Sequence, residues 1–207
     1  MGLFFTSLFW FTVALLWAIA EIEIEGKYGW AERSQTWFRV ASRNRKNFFL
    51  KVIMAGKPLT GYHLPIFALV FLIAHSHFFM GVPWSLTNEL TALAIYFSWP
   101  PLWDNLWFLF NPNFHFGMYP EEVWWYKRWV FKTFPIENIF QWFMSIIIVL
   151  FGSFVTKDEN ILKNQLFFLG YLAIFGLVAT IFLAPVYKKW YIEMRKHDDR
   201  NKLKKIN

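Results

Sequence analysis

The chain has 207 residues, of which 57% are apolar, 23% aromatic and only 17% charged. A soluble domain carries about 25% charged residues, and a soluble fold of this size does not hide 26 Phe and 13 Trp. High hydrophobicity excludes disorder, and the lack of cysteine excludes disulfides, thiolate metal sites, iron–sulfur clusters and c-type haem. The composition is that of an all-α integral membrane protein.

About 20 mostly apolar residues cross roughly 30 Å of hydrocarbon. Five stretches approach that length, near residues 2–20, 64–82, 85–99, 139–155 and 165–187. The first carries no charge. Its Ala18-Ile19-Ala20 has the form of a signal-peptidase site, but no Lys or Arg precedes it, which favours an anchor with its N-terminus outside. The second is interrupted by His75 and His77. The third is the shortest, holds Asn88 and Glu89, and ends at Pro100-Pro101. The apolar segment 102–110 behind it either extends that helix past a kink or lies in the interface.

Charge tests this partition. Of the 21 Lys and Arg, eight fall between spans one and two, three after span three, eight in the tail, and two between spans four and five. Nineteen of the 21 therefore share one side, as cytoplasmic loops require. We expect five transmembrane helices in a single polytopic domain over 1–187, with interfacial aromatic-rich helices. The N-terminus lies outside, and the basic tail 188–207 is cytoplasmic, starting as a helical extension of span five. The tail's charge pins that end inside.

Between spans one and two, aromatics alternate with Arg from Lys27 to Phe49, the pattern of a helix lying flat in the interface. Lipid is the expected contact there, and nucleic acid is not. Gly56-Lys57-Pro58-Leu59-Thr60-Gly61 lacks the Walker spacing, so it reads as a turn into span two with no phosphate-binding role. The segment from Leu102 to Trp129 is the most distinctive. Its Trp-rich run, broken at Asn111-Pro112 and Tyr119-Pro120, reads as an aromatic belt or as an ordered lid over a cavity.

Ionisable groups in a membrane segment are expensive and raise a functional question. At the cytoplasmic end, Glu21 and Glu25 share one helix face, His63 opens span two at the same depth, and Asp104 and His115 follow span three. Such an oxygen–imidazole set suits Zn, Fe or Mn; rim carboxylates paired with nearby Arg and Lys are the bland alternative. In the outer half, His75 and His77 point about 200° apart on a helix, so one metal does not take both. Either could meet Glu89, bind a cofactor, or rest on a backbone carbonyl.

Two stacked haems need histidine pairs on two spans, and no second span carries one. Clustered histidine boxes, a G-x-S-x-G elbow and S-x-x-K are absent. The leading expectation is a metal-dependent membrane enzyme acting on a lipid-like substrate at the cytoplasmic face, through Glu21, Glu25, His63, Asp104 and His115. The alternative is a non-catalytic subunit of a larger membrane complex, binding pigment, haem or quinone through His75 or His77. A divalent metal is the expected cofactor and haem b the second. A small transporter with His75, His77 and Glu89 as a relay ranks last, because five spans do not divide into equal repeats.

Overall fold

The computed structural model describes residues 2–40 and 57–197. It is mostly helical. Helix α1 runs from Leu3 to Glu25, α2 from His63 to Ala74, α3 from Ser76 to Phe79 and α4 from Leu86 to Phe110. The short α5 (Tyr119–Glu122) precedes α6 (Ile136–Thr156) and α7 (Asn160–Val178). A π-helical turn, Ala179–Leu183, joins α7 to α8 (Ala184–Lys196). Two two-residue antiparallel ladders, β1 (Arg39–Val40) with β2 (Leu59–Thr60) and β3 (Trp129–Val130) with β4 (Phe134–Pro135), pin the loops.

Among the described residues, three helices are long and apolar enough to cross a membrane: Leu3–Glu25, Ile136–Thr156 and the continuous Asn160–Lys196. Phe5, Leu16, Phe79, Phe154, Phe182 and Val186 are each more than half exposed on the outer faces of the helices. Apolar surface on that scale suits lipid rather than water. The α2 helix is apolar but shorter than a regular span, because it stops at His75 and restarts as α3.

Helix α4 resolves the choice at Pro100-Pro101. One helix of 25 residues continues through both prolines, so segment 102–110 extends it. Each proline removes one i→i−4 bond, and packing against α1 and α6 holds the helix through the gap. A polar clamp fixes the three-helix junction. Gln165 Nε2 on α7 donates to Ser98 Oγ on α4 at 2.9 Å, and Trp142 Nε1 on α6 donates to the Ser98 carbonyl at 3.1 Å. Ser145 lies beside the same amide. Polar side chains bond across helices in this way where no water competes.

The ends of the helices meet in a consistent order. Gly26, with φ of 60°, caps α1 by donating its N–H to the Ile22 carbonyl, and Asn111 at the end of α4 donates to the Gly26 carbonyl at 2.7 Å. Glu23 near the end of α1 lies 3.7 Å from Arg195 near the end of α8. Thus α1, α4 and the α7–α8 helix run in one direction, while α2 and α6 return.

The loop after α1 departs from the expected flat helix. Residues 27–38 form turns, and Trp30 is buried with a left-handed backbone (φ 59°), as is Ala31 (φ 49°). The physical reason is the bonding around them. Trp30 Nε1 donates to the Pro58 carbonyl at 2.8 Å, and Arg39 Nη1 donates to the carbonyls of Trp30 at 3.1 Å and Ala31 at 2.8 Å. The loop is pulled inward, over the end of α1. The remainder of the expected interfacial helix, 41–49, and the tail beyond 197 lie outside the described residues.

Candidate metal centre

The site starts from the helical period. Glu21 and Glu25, four apart on α1, lie on one buried face, while Glu23 points out toward Arg195. His63, the first residue of α2, is 2% exposed and faces them, with Nε2 3.8 Å from Glu21 Oε1. One ligand atom from each of Glu21, Glu25 and His63 lies within 4.8 Å of the other two. The three residues would hold a metal ion if they drew slightly closer around it.

The surroundings orient these groups. Thr60, fully buried on β2, holds His63 Nδ1 at 2.8 Å and accepts the His63 backbone N–H at 3.1 Å. A hydroxyl oxygen has two lone pairs, so it can accept both and leave the Nε2 lone pair facing the carboxylates. Metal-binding histidines are held through their second nitrogen in the same way. Trp30 stacks on the imidazole at 4.3 Å and 14°. The Glu25 carboxylate accepts the Ala31 N–H through Oε1, and the Trp30 backbone N–H also bonds it.

Asp104, on α4, closes the other side and accepts a hydrogen bond from the Tyr126 hydroxyl. That hydroxyl also lies 3.2 Å from Asn138 Oδ1. Burial, with Asp104 next in effect, pushes the Tyr126 hydroxyl well above its ordinary range, so it stays protonated. Between the two halves sits Lys57. It is 8% exposed, and its ammonium lies 4.1 Å from the Trp30 ring and 4.0 Å from the Tyr126 ring. Burial lowers its pKa to about 8, against the opposing pull of Asp104 and Glu137.

These groups line a cavity of about 50 Å³ roofed by Trp103, Trp107, Phe108 and Trp125. Among the described residues, the indole N–H of Trp107 and Oε1 of Gln141, both from lining residues, are buried without a hydrogen-bond partner, whereas the Trp103 indole faces the Glu21 carboxylate. Buried polar atoms are nearly always satisfied, so orphans at a cavity wall point to a ligand or water there.

Of the 102–129 segment, Trp103, Trp107, Trp125 and Tyr126 line this cavity. Asp104 lines the cavity with Glu21, Glu25 and His63. His115 does not join them. It sits on an exposed turn, with Nδ1 2.7 Å from Glu122 Oε1, because the chain reverses between Asn111 and Met118. Lys57 and Tyr126 were not among the expected site residues. The proximity of Lys57 to His63 was the available signal, but no spacing rule marks a lysine that enters from a turn.

The outer pair is separate. His75 ends α2 with Nδ1 2.7 Å from the Phe71 carbonyl and Nε2 3.2 Å from Glu89 Oε1. Glu89 also accepts from Trp84 Nε1 at 3.3 Å. His77 rests Nδ1 on the Ala74 carbonyl at 3.1 Å. Both nitrogens of His75 are engaged, so cofactor ligation there would displace an existing bond.

No protein family, no curated protein and no solved structure matches the chain.

Proposed function

We propose that the chain is a polytopic membrane protein of five spans, N-terminus outside, with a metal-dependent catalytic centre at its cytoplasmic end. The convergence of Glu21, Glu25 and His63 within 4.8 Å carries this reading. Two carboxylates and one imidazole form a borderline-hard set that suits Zn, Fe or Mn. Three protein ligands leave a coordination position open, as catalytic sites do. A metal held by these residues would supply an activated water, and the unpartnered Trp107 N–H would be a donor beside it.

The size of the cavity shapes the substrate reading. A room of about 50 Å³ takes a few water-sized groups. A lipid's polar head fits this scale, while its chains stay in the bilayer. The proposed reaction therefore falls on the head of a lipid-like substrate. The haem or pigment reading has less support, because His75 is already bonded on both nitrogens.

Elemental analysis of detergent-purified protein tests the reading. Wild type is expected to carry about one equivalent of Zn, Fe or Mn, and His63→Ala and Glu21→Gln are expected to lose it while His75→Ala retains it. Metal-free wild type after supplementation, or retention in both site variants, would overturn the metal centre.

A further inference from the structure

Lys57 is the group in the cavity that a metal centre alone leaves unexplained. Its ammonium is buried, yet among the described residues it has no carboxylate within 4.0 Å and no hydrogen-bond acceptor. Two aromatic faces hold it instead. Cation–π contacts favour a desolvated ammonium, but they offset only part of the cost of taking it out of water. A lysine kept this way has three N–H donors to offer to something else. The unpartnered N–H of Trp107 belongs to the same cavity wall. All of these are donors, and donors recognise anionic oxygen.

We propose that Lys57, with the Trp107 N–H, forms an anion subsite that receives the phosphate of a phosphate-bearing lipid head beside the metal. The inference rests on the metal reading above. Charge explains why the two belong together. Glu21, Glu25 and Asp104 face Lys57 across the cavity, with Arg39 close to Glu25. Carboxylates in excess repel an anion, and a divalent ion bound to Glu21 and Glu25 removes that repulsion. The phosphate therefore enters only after the metal. The subsite has no Walker geometry; a single ammonium acts as a point charge, as lysine does toward phosphate. The room of about 50 Å³ takes a few water-sized groups, the scale of one oxyanion beside an ion.

Phosphorus NMR of Mn-loaded protein in detergent reads this directly, since a phosphate bound beside Mn relaxes fast. The probes are inorganic phosphate and dihexanoyl phosphatidic acid, each with wild type, Lys57→Met and Lys57→Arg. Expected is saturable broadening with wild type and Mn, none with Mg-free, Mn-free protein, and at least a tenfold weaker effect in Lys57→Met with Mn still bound. Lys57→Arg is expected to restore part of it.

Broadening of the phosphatidic acid alone assigns the subsite to a lipid head, and of both probes to phosphate in general. Wild type that binds Mn but broadens neither probe overturns the subsite and leaves the metal centre standing. Equal broadening in Lys57→Met overturns it as well, since the metal alone then holds the anion. Loss of Mn from Lys57→Met also counts against it, because a lysine that reads only the anion is dispensable for the metal. Wild type that fails to bind Mn overturns the metal reading itself.

Discussion

At the scale of single residues, Lys57 links the site to pH. Its folded pKa lies at about 8, below the ordinary 10.5, because burial disfavours the charge. Between those two values the unfolded chain binds a proton that the folded chain has released. Stability therefore rises with pH across the window from about 8 to 10.5. Thermal unfolding of metal-free protein in detergent is expected to show a midpoint that climbs through this range, and Lys57→Met is expected to flatten the climb. A midpoint in wild type that falls or stays level would contradict the burial of a charged lysine. Glu21 and Glu25 were legible in the sequence because the four-residue period puts them on one face. His63 was legible from its depth. Asp104 was legible as a cytoplasmic acid, but its tie to Tyr126 crosses 22 positions, and no local pattern encodes such a contact. His115 misled because nearness in sequence to the lid was read as nearness to the site, whereas its local partner Glu122 holds it on the surface.

At the scale of elements, the lid is a packed aromatic layer rather than a mobile strap. Phe108 stacks on Tyr119 at 5.0 Å, lies edge-on to Trp129 at 5.6 Å, and is parallel to Trp125 at 6.2 Å. The loop after α1 packs underneath. A methyl group on Gly29 would lie 2.1 Å from the Trp125 ring, so Gly29→Ala forces that ring out of place. Overpacking of this kind costs about 1–3 kcal/mol. Near-UV circular dichroism is expected to change in the tryptophan bands, with metal affinity reduced several-fold; an unchanged spectrum and affinity would show that Trp125 does not wall the site. The sequence announced the apolar helices because length and hydropathy are local. It did not announce that residues 27–38 turn inward, since that outcome depends on Pro58, Arg39 and His63 as distant partners. The run to Phe110 through two prolines was one of two readings, and only packing from α1 and α6 decides it.

At the scale of the whole molecule, the helices alternate in direction, and the proposed orientation rests on the distribution of positive charge. The chain has no cysteine, so a single introduced one reports its own side. In intact cells, Asp158→Cys is expected to react with a membrane-impermeant maleimide, and Arg33→Cys to react only after permeabilisation. The reverse labelling would invert the proposed topology and move the metal centre to the outside. The long C-terminal helix sets a final relation. Pro185 has no N–H to give the Ile181 carbonyl, and the π-helical turn Ala179–Leu183 sits where that bond would fall. A π turn holds one residue more than α-geometry needs, and one residue is about 100° of rotation. That surplus residue works as a phase adjuster between two lengths of the same rod. Upstream, the rod presents Phe168 and Leu172 to the bundle; downstream, it presents Tyr187 to Phe110 and Arg195 to Glu23. Without the extra residue the two halves would fall out of step, and the end of α1, which carries both site glutamates, would lose its brace on that side.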